Sequence, residues 1–172
     1  TTLKADQVLF RAAAPGGTTL AGDADFISAR VADDVITAGG VGRVSAVSLD
    51  RLLNGRSVAG RPFVGETAHG MRGGSTTGDM ETMFQLIHLR FTEPRADPTA
   101  FAAMRAQALA LLQNQGASPD FAFDDALGAA LSGNHPRRRP ETTESVAQWN
   151  LERSLAFYKA RFADAANFTF VF

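Results

Sequence analysis

The chain has 172 residues, enough for one domain with a sizeable core, and 45% hydrophobic against 20% charged residues is a globular balance rather than a disordered one. Seventeen Lys and Arg against 18 Asp and Glu leave a net charge of −1, which gives no general attraction to nucleic acid or to an anionic membrane. The lack of cysteine excludes a disulfide framework, thiol catalysis and thiolate metal sites, while leaving periplasm and cytoplasm equally open.

Residues 3–14 centre on Val8-Leu9-Phe10, which suits a strand, and close on the turn Pro15-Gly16-Gly17. Over 23–37 the period becomes helical. Ile27, Val31 and Val35 recur every fourth residue with Phe26 and Ile36 beside them, opposite a stripe of Arg30, Asp33, Asp34 and Thr37. Gly39-Gly40 ends this helix. Ser48 is placed to cap a short helix carrying Leu49, Leu52 and Leu53, stopped by Asn54-Gly55.

Residues 61–66 and 68–72 read as two short strands that open into Gly73-Gly74-Ser75-Thr76-Thr77-Gly78. The strongest helix follows on Met80, Met83, Phe84, Ile87 and Phe91, and Pro94 ends it. Asp97-Pro98 is an N-cap with proline at the first helical position, starting a helix to about Gln113 on Phe101, Met104, Ala108 and Leu111. Ser118-Pro119 repeats that signal for a helix through Leu131, which Gly133 and Pro136 stop. Arg137-Arg138-Arg139-Pro140 is a polar loop. A last helix turns Trp149, Leu151, Leu155, Tyr158 and Phe162 inward, and 167–172 alternates Phe168, Phe170 and Phe172 as a closing strand.

With no internal repeat and no linker, the pattern predicts one α+β domain over the whole chain: an antiparallel-rich mixed sheet covered on one face by helices. An ending on a Phe-rich strand without a polar tail is expected of a piece of a longer polypeptide. Such a piece should show an apolar patch or form a homodimer when isolated.

The chemistry-bearing residues are few. His69, His88 and His135 share no metal-ligand spacing with one another or with a carboxylate, and read as loop, helix-flank and turn residues. The glycine-rich run 70–78 lacks the lysine of a nucleotide loop, since the only lysines are Lys4 and Lys159. Gly39-Gly40-Val41-Gly42 follows a helix rather than a strand, against a dinucleotide fingerprint. Both clusters read as turns. Arg137–Arg139 lacks interleaved aromatics and reads as a loop that is solvated or meets an acidic neighbour, not as a nucleic-acid footprint. No catalytic residue is assigned.

Three stretches taken in order carry a resemblance. They are Ser48-Leu-Asp-Arg-Leu-Leu-Asn-Gly-Arg-Ser-Val, His69-Gly-Met-Arg-Gly-Gly-Ser-Thr, and Asp79-Met-Glu-Thr-Met-Phe-Gln-Leu-Ile-His-Leu-Arg-Phe-Thr-Glu-Pro-Arg-Ala-Asp. Together with the helix-then-strand ending they resemble the pitrilysin/insulinase family of zinc metallopeptidases, whose domains share the insulinase and mitochondrial processing peptidase type of α+β fold. The resemblance implies two halves, each of two related domains, around a peptide-degrading chamber. Its catalytic domain carries HxxEH on a helix, with two zinc-binding histidines, a glutamate base and a more distant glutamate ligand.

This chain departs from that motif. Ala29-Arg-Val-Ala-Asp-Asp stands where Ala-His-x-x-Glu-His would, so Arg30, Asp33 and Asp34 are degenerate metal-motif positions. Arg30 is a permanent cation, and its spacing to Asp33 and Asp34 predicts an ion pair within one helix. The helix over 99–113, expected to hold the third ligand, has no acidic residue. The resemblance therefore implies a metal-free, inactive domain, the first of the C-terminal half. It would pack against a zinc-bearing catalytic half, on the same polypeptide or a sister subunit, and wall the peptide chamber. No nucleic acid or membrane partner is implied. A non-peptidase structural or assembly subunit of the same fold is the alternative. Tyr158 and Arg161, residue types that help some members bind substrate, lie in the closing helix and are expected to pack.

Overall fold

The structure, a computed structural model, describes residues 6–115 and 118–172. The first strand, β1 (Gln7–Pro15), alternates as its sequence requires, with Phe10, Ala12 and Ala14 buried and Leu9 and Arg11 exposed. Leu3, Lys4 and Ala5, the expected start of this strand, lie outside the described residues.

Strands β2 (Val58–Val64) and β3 (Ala68–Thr76) form a hairpin that is longer than the two pieces expected, and β4 (Thr169–Val171) closes the sheet. The order is β2-β3-β1-β4, and each of the three pairings is antiparallel. The antiparallel weight of the α+β fold expected from the sequence therefore holds throughout the described sheet.

The reading of 70–78 as a turn needs correction, because Gly70, Gly73 and Gly74 lie inside β3. Strand β3 is flanked on both sides. A Cβ on Gly70 would run into the Ala12 carbonyl oxygen, and one on Gly73 into that of Ala59. These glycines admit close neighbouring backbones rather than a ligand. Only Thr77–Asp79 leaves the strand, as a 3-10 turn. It is tied down by Asp79, whose Oδ2 accepts from Ser57 N at 2.9 Å and Thr76 Oγ1 at 3.0 Å.

The helix expected over 23–37 is two helices, α1 (Phe26–Arg30) and α2 (Ala32–Gly39), broken at Val31 with φ −107° and ψ 8°. An unbroken helix would give the Ser28 carbonyl to Ala32 N. Here that carbonyl accepts the Ser154 hydroxyl at 2.8 Å, and the Ser28 hydroxyl accepts from Asn150 N at 3.2 Å. The break is thus set by a segment more than a hundred residues away. Helix α3 (Ala46–Leu53) starts earlier than expected: Ser45 is its N-cap, accepting from Ser48 N at 3.3 Å, and Ser48 lies in the first turn.

Helix α4 (Met80–Thr92) buries Met83, Leu86 and Ile87 against the hairpin, while Met80 and Phe84 stay exposed. Asp97 caps α5 (Pro98–Gln115), its Oδ1 accepting from Thr99 N and Ala100 N at 2.9 and 3.1 Å. Helix α6 (Pro119–Leu131) has no buried residue. A capping box of Thr142 and Ser145 opens α7 (Thr143–Ala147), a helix the sequence reading did not separate. Asn150 caps α8 (Leu151–Phe162), which leaves Trp149 before the helix rather than in it.

Two apolar clusters result. The first lies between the sheet and helices α2, α4 and α8, with Phe10, Ile36, Met71, Met83, Tyr158 and Phe162 at its centre. The second, Val31, Val35, Val146 and Trp149, seats α5 on the far side of α2. Helix α2 is therefore covered on both sides. At its C-terminal end Ile36, Gly39 and Gly40 are buried, so their carbonyls must find donors within the protein.

Candidate functional site

Arg30 ends α1, while Asp33 and Asp34 occupy the first turn of α2. The single helical face expected to join them is absent, and the expected pairing within it is corrected accordingly. The Arg30 guanidinium instead lies 3.9 Å from Glu141 Oε1 and donates to the Arg139 carbonyl at 3.4 Å. Asp33 Oδ2 accepts from Val64 N, at the end of β2, at 3.1 Å. Burial, reinforced by the charge of neighbouring Asp34, pushes the Asp33 carboxyl up to about 6. Asp34 is exposed.

The loop Arg137–Arg139 closes over this region and meets acidic neighbours, as the sequence reading allowed. Arg137 Nη2 pairs with Asp23 at 2.6 Å and donates to the Ala21 carbonyl at 2.9 Å, and its guanidinium lies 4.7 Å from the Phe26 ring centroid. Arg138 pairs with Glu66 at 2.8 Å. A depression of about 400 Å³ remains between Phe26, Arg30, Val64, Glu66 and Arg137. Its cations are already engaged, and among the described residues it holds no group of three His, Asp or Glu side chains that could bind a metal.

Among the described residues no group of three or more His, Asp or Glu side chains could hold a metal ion. A zinc of the HxxEH type does not fit the residues present. Arg30 cannot ligate, Asp33 is committed to a backbone amide, and the break at Val31 separates the two ends of the motif.

His135 lines this depression beside Arg137, whereas His69 and His88 do not. His69 is a buried member of β3, not a loop residue. Its Nδ1 accepts from Gly17 N at 3.2 Å and its Nε2 faces the Arg161 carbonyl at 3.2 Å, which assigns the proton to Nε2. Burial pushes this imidazole down from its ordinary value, so it stays neutral. His88 is exposed on α4, and His135 caps the 3-10 turn Pro136–Arg138. Tyr158 is fully buried, stacked on Phe162 at 4.1 Å with its hydroxyl donating to the Arg90 carbonyl at 3.2 Å. Tyr158 packs as expected, and Arg161 is half-buried with its guanidinium 5.9 Å from the Phe157 ring centroid.

Sequence reasoning missed Arg90. It is buried, and one guanidinium nitrogen donates to the Ile36 and Gly40 carbonyls at 2.8 and 2.7 Å. Its position seven residues after Met83, on the inward face of α4, was the available signal. Arg95 Nη1 serves the neighbouring Gly39 carbonyl, and its Nη2 pairs with Asp97 at 2.7 Å. Together the two arginines bring donors and positive charge to the carbonyl end of α2.

This geometry defines a helix-covered antiparallel domain in which Arg30 and Asp33 are committed to internal contacts. No family model matches the chain, and no curated protein matches it in sequence. Solved structures match it closely in fold. The periplasmic protease PqqL from Escherichia coli superposes with a TM-score of 0.76 at 22% identity, covering 98% of this chain and 18% of PqqL. The first half of the same PqqL, solved separately, gives 0.70 at 14% identity, covering 96% of this chain and 37% of that half. A peptidase M16 inactive domain from Pseudomonas fluorescens gives 0.73 at 17% identity, covering 89% of this chain and 38% of that one.

The chain therefore has the fold of M16, pitrilysin-like, peptidase domains, an inactive one among them, as the resemblance implied. It spans less than a fifth of the length of PqqL.

Proposed function

We propose that the chain is a non-catalytic domain of a zinc-dependent metallopeptidase, walling a peptide-degradation chamber and packing against the catalytic half. The carrying observation is the broken helix at Val31. Arg30 on one side is turned to Glu141, and Asp33 on the other is spent on Val64 N. Arg30, Asp33 and Asp34 are then the remnants of a metal motif, converted into a joint between α1, β2 and the Arg137–Arg139 loop. The likeness to an M16 inactive domain supports this reading. The better match to whole PqqL than to its first half supports an origin in the second half of such a protein.

The zinc belongs to the partner half, on the same polypeptide or a sister subunit, and the substrate is a short unfolded peptide admitted between the halves. This chain contributes a rigid wall that limits substrate size and excludes bulk water. Metal analysis and peptide-cleavage assays on tag-free protein of this sequence test the proposal. Expected are no stoichiometric zinc and no cleavage. One tightly bound zinc per chain, or hydrolysis abolished by a chelator, would overturn it.

A further inference from the structure

The face of the sheet turned away from the helices carries a row of three cations. In the register of the sheet Arg72 of β3 lies directly opposite both Arg11 of β1 and Arg61 of β2. All three are exposed, and among the described residues none of their guanidiniums lies within 4.0 Å of a carboxylate. Neighbouring strands are roughly 4.8 Å apart, so like charges placed directly opposite repel across the whole row. Six arginines, Arg30, Arg56, Arg95, Arg137, Arg138 and Arg153, each meet a carboxylate, whereas these three stand side by side without one. An unneutralised row on an otherwise near-neutral chain leaves its compensation to something outside it.

The surroundings narrow what that is. A shallow depression of about 1020 Å³ runs along the row, and Leu9 and Val171 form an apolar shelf beside the arginines. Both are more than half exposed, whereas Phe172 at the rim turns its ring to Phe10 and Phe84 on the helix side. Three charges are few for a phosphate polymer, which needs a longer basic track. Carboxylates alternating with apolar side chains match both the charge row and the shelf.

We propose that this uncovered sheet face is a docking surface for an extended acidic peptide segment. Its carboxylates pair with Arg61, Arg72 and Arg11, and its apolar side chains rest on Leu9 and Val171. The inference concerns what the face binds, and it stands whether or not the chain walls a peptidase chamber. Bidentate pairing to three guanidiniums fixes the segment across the strands, and the apolar shelf selects for residues between the charges.

The test is fluorescence polarisation with the full-length protein and a short labelled peptide alternating Glu and Leu, against the same peptide with Gln for Glu. Expected is binding about tenfold or more tighter for the Glu peptide, weakening as salt is raised. Arg72→Gln should lose about fivefold or more of that affinity, since it removes the middle of the row. This variant also relieves repulsion, so it should fold, and circular dichroism checks that it does. Equal binding of the Gln peptide would overturn the proposal, as would unchanged binding by Arg72→Gln. No binding to the full-length protein, as when a neighbouring domain covers the face, would overturn it too. Tighter binding of oligouridylate or of phosphatidylserine vesicles than of the Glu peptide would do the same.

Discussion

The Arg90 guanidinium donates to the Ile36 carbonyl oxygen at 2.8 Å, joining the apolar face of α4 to the last turn of α2. A second bond from the same nitrogen reaches Gly40, at 2.7 Å. Burying a cation is costly, and burial lowers the Arg90 pKa from its ordinary value. The position is sustained by carbonyls that would otherwise be orphaned at a covered helix end.

Arg90→Met keeps much of the packing volume but strips both carbonyls of their charged donor. Losses of on the order of 3 kcal/mol are expected in urea unfolding, because partners of a buried charge are left unpaired. Arg90→Lys retains the charge with a shorter reach, so it should lose less. Equal stability of Arg90→Met and wild type would refute this role.

Asp33 gives the protein an unusual slope with pH. Its folded carboxyl sits at about 6 against an ordinary 3.8, so between these values the folded state holds more protons than the unfolded one. Stability should therefore fall as pH rises from about 4 to about 6, by on the order of 1–3 kcal/mol, and level off above. Asp33→Asn keeps an acceptor for Val64 N and should abolish this fall, making the variant more stable than wild type at pH 7.5.

His69 tilts stability the other way. Its imidazole is held below the ordinary 6.5, so below that pH the unfolded chain takes up a proton that the folded one refuses. In the Asp33→Asn background, where the opposing slope is gone, stability should drop as pH falls below about 6.5. The lowered carboxyls of Asp79 and Asp97 act further down, beneath their ordinary 3.8. A flat profile between pH 5 and pH 7 in that background would contradict the buried, neutral assignment.

Gly73→Ala and Gly78→Ala form a matched pair. The first forces a methyl group into the Ala59 carbonyl across the sheet, whereas the second enters open space. Overpacking of this kind costs roughly 1–3 kcal/mol, so Gly73→Ala should lower the melting temperature while Gly78→Ala leaves it nearly unchanged. Comparable melting of the two would show that β3 does not need its glycine there.

Placing zinc-ligand residues at Arg30, Asp33 and Asp34 should not create a metal site. In Arg30→His/Asp33→Glu/Asp34→His the two histidines would stand on opposite sides of the break at Val31. Calorimetric titration with zinc is expected to show no submicromolar site, because tetrahedral ligation needs both imidazoles on one face. Tight stoichiometric binding by the triple variant would mean that the helix re-forms on demand.

Local chemistry made much of the fold legible. Alternation around Phe10 marked β1, the Met83–Ile87 spacing marked α4, and Asp97-Pro98 marked the start of α5, since each depends on residues a few positions apart. A nearby Ser48 could stand in for Ser45 as a cap in the sequence because both have the right side chain, and only the chain path separates them.

By itself the sequence determined that no HxxEH or other metal motif is present and that the chain is α+β, because side-chain identity and apolar period are local properties. Only the tertiary structure decided that β3 absorbs the glycine-rich run, that Ser154 splits the 23–37 helix at Val31, and that Arg11, Arg61 and Arg72 fall into one row. Each of those depends on which backbone or hydroxyl comes to lie opposite. Strand register and long-range contact fix that, and neither is written in any one segment.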